Sequence, residues 1–453
     1  MSMTGSAGLV TDDVCAWVAT IAGAPVARVE ELTGGASRNS FILTLEDGSK
    51  RFLRMDAGHG PLSGTPFTLE REYGVLEYLQ GKGLAVPGVF AWSSSHNAVL
   101  MEFVPGHTSY QRIGPDAEEA AVRRELMSVV VALQALSTQD LEILGEHCSA
   151  PLGRAIPVDL AIWRGLYDSR VSIRDPLVEF SLNWLTQSVP DAESRPVIVH
   201  GDVGPGNFLV ADGRVRALID WELVRVGHPL EDLACIIARA LGAPFGHPDE
   251  HIANYESLSK RRVDRGTLDY ALALILTRWL IGITMALSRP SALQNIPMLF
   301  AFRQLNGAAL VEALCRRYAV TPPVVPAVVP GPACGIVFKY SADCLQSLAA
   351  LQHLTAADRY KLNGIVDLVS YLQAFIAYGP ERYDREYVER AAHVLGHAPA
   401  TPAEATEALC AHARSVDAGL ARPLVEFFAW WYVREHSIMH TSLGKLADNT
   451  IPL

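Results

Sequence analysis

The run from Val197 to Glu222, VIVHGDVGPGNFLVADGRVRALIDWE, leaves a chain few ways to fold. Val197, Ile198 and Val199 make a β-branched apolar stretch that reads as a short buried strand, delivering His200, Gly201 and Asp202 to a strand-to-loop corner. Five residues beyond Asp202 stands Asn207, then Phe208-Leu209-Val210, a turn at Ala211-Asp212-Gly213, and a second apolar strand ending in Leu218-Ile219-Asp220. This pattern predicts a β-hairpin. A tight turn sets the residue that starts one strand opposite the residue that ends its partner, so Asn207 and Asp220 are expected side by side.

An amide oxygen beside a carboxylate forms a hard-oxygen site suited to Mg²⁺ carrying nucleotide phosphates. Asp202, on the preceding corner, is expected to face the same space. The spacing HxDxxxxN followed by an Asp closing a hairpin follows the logic of kinase catalytic and metal loops, in which one Asp orients and deprotonates a hydroxyl while Asn and Asp hold the metal. Asp212 and Gly213 read as ordinary turn residues.

Upstream, residues 11 to 22 predict a short helix that leads into a sheet. Leu32 to Leu45 and Glu46 to Arg54 then read as strand, glycine loop, strand, hairpin and strand. Glycines and small hydroxyl residues between strands let backbone amides approach phosphate oxygens, so Gly34 to Ser40, with Gly34, Gly35, Ser37 and Asn39, is the expected phosphate flap. A kinase ends its third strand in a Lys that grips the phosphates and pairs with a Glu on the next helix. The matching residues here are Arg54 and Glu72, the latter on a predicted helix from Thr68 to Leu79. Arginine keeps the charge and can hold phosphate in a bidentate fork, but it is longer than lysine and not equivalent to it.

The strings VHGDVGPGN and IDWELVRVGHPLEDLA resemble the aminoglycoside phosphotransferase-like (choline kinase-like) small-molecule kinases. Within that family they are most similar to the branch found as the kinase-like part of some acyl-CoA dehydrogenase fusions and as bacterial hydroxyacyl-CoA kinases. The resemblance covers roughly residues 25 to 315. It implies Asp202 as catalytic base, Asn207 and Asp220 as metal ligands, His200 and Asp232 as structural braces of the catalytic loop, and ATP with Mg²⁺ as cofactors. It also implies a hinge at Glu102 to Val104 whose backbone meets the adenine, and it matches the use of Arg at position 54 in the acyl-CoA-dehydrogenase-linked branch. One departure is Leu133-Gln134, where the family usually has Leu-His.

A chain of 453 residues is too long for one core. With 49% apolar and 19% charged residues it reads as globular, and a net charge of −11 argues against nucleic acid as a partner. The start MSMTGSAGLVTDD lacks a signal peptide's pattern and no uninterrupted 18-residue apolar run occurs, so a cytoplasmic protein without membrane contact is expected. Seven scattered cysteines without a CxxC pair read as free thiols. Lys260, Arg261, Arg262 and Arg265 make a basic cluster that could meet an anionic substrate tail.

Helical periodicity is expected at 116–137, 159–169, 176–188, 267–287 and 297–318. A proline-rich linker follows at 321–335, and the rest reads as helices at 341–353, 355–378, 383–395, 402–416 and 421–437. Phe427 to Tyr432 places aromatics all round a helix, which requires a covering partner. The expected architecture is α+β, a protein-kinase-like two-lobed fold with an additional all-α C-terminal domain: a small β-rich N-lobe at 1–104, a helical C-lobe at 105–320, the linker at 321–335, and the helical domain, docked on the kinase lobes, at 336–453. The expected substrate is a small hydroxylated molecule, first a hydroxyacyl-CoA or related metabolite, second an aminoglycoside or macrolide. A non-catalytic nucleotide-binding regulatory module is the reading from another class.

Overall fold

A computed structural model of the chain describes residues 9–32, 38–56, 58, 60, 62–108, 116–289, 295–329, 341, 343–351 and 354–453. The chain divides into two compact units. One comprises the described residues of Met1–Ala155, Ala192–Arg239 and Phe245–Val263; the other comprises those of Ile156–Asp191, Ala240–Pro244 and Asp264–Leu453.

The first unit opens with α1 (Asp12–Ala22), started by Thr11, whose hydroxyl accepts the Val14 amide. A five-stranded antiparallel sheet follows, ordered β1-β2-β3-β5-β4, from β1 (Val26–Leu32), β2 (Asn39–Leu45), β3 (Lys50–Met55), β4 (Val89–Ser93) and β5 (Ala98–Glu102). Alternation along β2 sends Phe41, Leu43 and Leu45 inward, where they meet Val14 and Val18 of α1 and Leu53, Met55, Ala98 and Leu100 of the neighbouring strands. Between β3 and β4, α2 (Leu69–Gly81) buries Glu72, Val75, Leu76 and Leu79. Strand β4 lies in the stretch that opens as an extended segment at Val86-Pro87.

Past β5 the same unit contains α3 (Asp116–Gln134) and, after an excursion, β6 (Val197–Val199), the hairpin β7 (Phe208–Ala211) with β8 (Arg214–Leu218), β9 (Arg225–Gly227), α6 (Glu231–Arg239) and α7 (Pro248–Ser259). The hairpin is fastened to the first sheet's chain by reciprocal His107–Val210 backbone hydrogen bonds of 3.0 Å and by Leu218 N donating to Ala85 O at 2.8 Å. Those bonds explain why no unit boundary lies at residue 104. Gln134, standing where the family has His, donates to Pro229 O at 2.7 Å and accepts from the Tyr255 hydroxyl at 3.0 Å, so it holds the approach to α6.

The excursion and the rest of the chain are helical: α4 (Leu152–Arg170, crossing between the units), α5 (Pro176–Gln187), α8 (Arg265–Ser288), α9 (Ile296–Tyr318), α10 (Ala356–Tyr378), α11 (Pro380–Leu395), α12 (Pro402–Ser415) and α13 (Arg422–Leu443). Helix α4 starts earlier than the sequence suggested because Pro157, a residue that normally interrupts a helix, lies inside it. Helix α8 is continuous and carries Asp269 and Arg278 within its apolar run, and by length and composition it is apolar enough to cross a membrane, with mean hydropathy 1.8. Of that stretch 67% is buried inside the fold, and Arg278 is paired with Asp159 at 2.5 Å.

The helices after the proline-rich segment share one compact unit with α5, α8 and α9. Phe428 of α13 packs against Phe180 of α5, with ring centroids 5.8 Å apart, and Leu305 of α9 clusters with Met439, Leu443 and Ala447. Gln304 donates to Tyr432 O at 3.0 Å. Each such apolar side chain contributes roughly 1.5–3 kcal/mol on burial. The buried Glu179 carboxylate also pairs with the half-exposed Arg414 at 2.6 Å. The aromatic run is thereby covered by α5, α9 and α11.

Candidate active site

All described residues of the site belong to the first unit. Strand β6 carries the chain out to His200, and the loop from Gly201 to Asn207 returns it to β7. Gly201 has φ +84, and a Cβ there would lie 2.6 Å from Leu223 O and 2.1 Å from a guanidinium nitrogen of Arg225, so only glycine fits. The loop is braced from α6: both oxygens of Asp232 accept backbone amides, from His200 at 2.9 Å and Gly201 at 3.0 Å. Burial pushes the Asp232 carboxyl up to about 6, with the two amides opposing it.

His200 is fully buried and lies 4.5 Å from Trp221, centroid to centroid. Its Nε2 is 2.9 Å from Ile219 O and its Nδ1 accepts the Asp202 amide at 3.3 Å, which fixes the neutral tautomer with the proton on Nε2. Burial brings its pKa down to about 4, so the ring stays neutral at ordinary pH.

Asn207 and Asp220 stand at adjoining strand ends, tied by Ile219 N donating to Asn207 O at 3.0 Å. The Asn207 amide nitrogen donates to Asp202 O and Asp202 Oδ2, both at 2.7 Å, which leaves its Oδ1 as the acceptor. Asp220 adopts a left-handed backbone, φ 67 and ψ 60, and gives Oδ1 to Arg54 Nη2 at 2.6 Å. Arg54, near the end of β3, also reaches Glu72 Oε1 at 2.8 Å and Glu222 Oε2 at 3.2 Å. Burial works against the Arg54 charge, but the three carboxylates outweigh it and raise its pKa. Burial likewise opposes the Asp220 charge, and Arg54 prevails, holding that carboxyl below its usual range. For Glu72 burial wins over Arg54 and the pKa is raised; the same holds for Asp202 against Arg239.

The donor set suits a magnesium ion. Asn207 Oδ1 and the second oxygen of Asp220 are hard oxygen ligands with Glu222 close by, and among the described residues no group of three His, Cys, Asp or Glu forms a complete protein cage. Mg²⁺ is characteristically held by one or two carboxylates plus waters and substrate phosphates, which matches such a partial set.

Gly34, Gly35 and Ser37 lie outside the described residues. Asn39 opens β2, half-buried and opposite Met55. Beside it Arg38 is buried and pairs with Asp56 and with Phe67 O, anchoring the base of that strand. Glu102 ends β5 with its amide on Gly88 O at 2.7 Å and its carboxylate accepting Gly88 N at 3.0 Å; Val104 is half-buried beyond it. Lys260, Arg261 and Arg262 are exposed at the end of α7, and Arg262 pairs with Glu256 at 3.1 Å.

Sequence reasoning missed Arg239, Glu222 and Arg71. Arg239 pairs with the Asp202 carboxylate, and Arg71 of α2 donates to Val224 O, joining the helix that carries Glu72 to the loop after Asp220. A signal for Arg239 was present: it lies seven residues after Asp232, two turns on along the same helix face.

A family profile described as "Phosphotransferase enzyme family" matches residues 28–264, just over half of the chain. Among curated proteins, acyl-CoA dehydrogenase family member 11 from Gallus gallus is 28% identical over 212 residues, covering 46% of this chain and 27% of that protein. The Rattus norvegicus protein of the same name is 28% identical over 221 residues, covering 46% and 28%. The chain therefore spans about a quarter of the length of these relatives. A crystal structure of a Ralstonia eutropha protein assigned as an aminoglycoside phosphotransferase aligns with TM-score 0.50 and 23% identity, covering 65% of this chain and 93% of that one. That likeness shows the fold, the protein-kinase-like architecture expected from the two motifs.

Proposed function

Because this chain belongs to the phosphotransferase enzyme family, we propose that it transfers the γ-phosphoryl group of ATP to a hydroxyl group of a small molecule. One observation carries the reading: Asn207 is hydrogen-bonded to Asp202 and, through Ile219 N, lies beside Asp220, whose carboxylate the buried Arg54–Glu72 pair reaches. Asp202 is the general base. Its Oδ2 is held by Asn207 and Arg239, so Oδ1 meets the acceptor hydroxyl and takes its proton as the new O–P bond forms and the bond to ADP breaks. Asn207 and Asp220 would hold Mg²⁺, which would neutralise charge on the phosphates. Arg54 grips phosphate oxygens and Glu72 keeps its fork aimed. His200, neutral and doubly hydrogen-bonded, takes no part in proton transfer; with Asp232 it fixes the loop. Positioning and charge neutralisation supply most of the rate in such a site.

Arg54→Ala and Glu72→Ala are each expected to weaken ATP use. The double variant should lose less than the sum of the two, because paired residues couple. Titration of ATP against the four proteins checks this, and strict additivity would remove Glu72 from the role assigned to it.

The acceptor class we favour is a hydroxyacyl-CoA or related hydroxylated metabolite. Its support is that the matched relatives are named for acyl-CoA chemistry, together with the form of WELVRVGHPLEDLA. Purified protein with Mg-ATP and a panel of hydroxyacyl-CoAs, free hydroxy acids, aminoglycosides and macrolides, read by mass spectrometry, tests it. A phosphorylated hydroxyacyl-CoA is expected. Turnover of an antibiotic with none of any hydroxyacyl-CoA would overturn the acceptor class, and nucleotide binding without turnover of any compound would point to a non-catalytic module.

A further inference from the structure

We infer that Arg239 is the positioning residue that sets the rotamer of Asp202, gripping one carboxylate oxygen so that the other is presented to the acceptor hydroxyl. The inference rests on the phosphoryl-transfer reading above and adds a residue to it.

Helix α6 holds the catalytic loop at two points. Near its start, Asp232 takes the amides of His200 and Gly201, the two residues before Asp202. Two turns later on the same face, the Arg239 guanidinium spans the far side of the loop: Nη2 donates to Asp202 Oδ2 and Nη1 donates to Pro205 O at 2.9 Å. Asp202 is thus bracketed, with its backbone fixed from one end of the helix and its side chain from the other.

Asp202 Oδ2 receives a second donor, Asn207 Nδ2, at 2.7 Å. Two donors on one oxygen stop the carboxylate from rotating, and among the described residues no protein group donates to Oδ1. With the Asp202 side chain 20% exposed, Oδ1 is the oxygen that an incoming hydroxyl can reach.

The loop is shaped to admit this arginine. At Gly204, φ +141, a Cβ would stand 2.6 Å from Arg239 Cδ and 3.4 Å from its Cγ. The first glycine of the segment VGPGN therefore lies under the arginine stem, where loop and helix fit one another.

The test uses the full chain with Mg-ATP and whichever acceptor the panel shows to be phosphorylated. Arg239→Ala should lower kcat by about 10²-fold while leaving KM for ATP within about twofold, because a misoriented base loses turnover and not binding. Added guanidinium ion should restore part of kcat in Arg239→Ala and none in Asp202→Asn. Placed on top of Asp202→Asn, Arg239→Ala should cost little more, since the two act as one unit. Should Arg239→Ala fail to fold, Arg239→Lys keeps a charged donor on a stem nearly as long and should retain more kcat than Asp202→Asn. Wild-type kcat in the Arg239 variants, absence of guanidinium rescue, or full additivity with Asp202→Asn would overturn the role of Arg239 and leave phosphoryl transfer standing. A wild-type protein that phosphorylates nothing would overturn both.

Discussion

Asp202→Asn is expected to bind Mg-ATP nearly as well as the parent protein and to turn over about 10²-fold more slowly or worse, the usual cost of losing a positioned general base. The substitution preserves shape, so the reason for the loss is chemical. The loop is held by Asp232 on the His200 and Gly201 amides, none of which involves the Asp202 side chain. Arg239 keeps its hydrogen bond to Pro205 O and can still donate to an amide oxygen at position 202. What disappears is the ability to accept a proton. Nucleotide binding by calorimetry and turnover by ADP release should therefore separate cleanly, and near-parental turnover would mean that this loop is not where the hydroxyl is activated.

Asp220→Asn carries the second large effect, and it falls on binding. Asp220 offers a carboxylate oxygen at the end of β8 beside Asn207, and losing that charge removes most of the attraction for a divalent cation. The expected result is that Mg²⁺ no longer tightens ATP binding, with affinity in its presence down by roughly 10²-fold, in keeping with the several kcal/mol such an ion supplies. Asparagine is the replacement of choice because position 220 has φ 67 and ψ 60, a left-handed conformation that Asn adopts more readily than Ala. Arg54 retains Glu72 and Glu222, so the variant should keep its thermal stability within a few degrees. Unchanged Mg²⁺ dependence would take Asp220 out of the metal site.

The parts of this site that were legible in sequence are those built by local rules. A β-branched run, a polar corner and a hairpin turn fix Asp202, Asn207 and Asp220 within one continuous stretch, where strand geometry alone brings Asn207 to Asp220. Arg54 and Glu72 were found because a strand end and the next helix are a recognisable pair. Arg239 was not found, since an arginine in the last turn of a helix is well explained by the helix dipole, and its partner lies 37 residues earlier. Arg71 was hidden for a related reason: its acceptor is the backbone carbonyl of Val224, and a carbonyl leaves no trace in a sequence. A proline-rich stretch signals an extended chain, yet extension says nothing about whether the helices on either side find one another.

That extended stretch, residues 321–329, forms neither helix nor strand, and Val324 and Val329 are 98% and 84% exposed. The helices it joins meet through side chains: Phe428 on Phe180, Leu305 among Met439, Leu443 and Ala447, and Asn183 donating to the carbonyls of Ala413 and Val416. Covalent continuity there supplies mainly effective concentration, holding near each other two surfaces that already match. A protease that nicks the stretch would cut the polypeptide without dismantling the helical unit. The same site is where this chain could be expressed as two separate pieces that reassemble by complementation through those contacts.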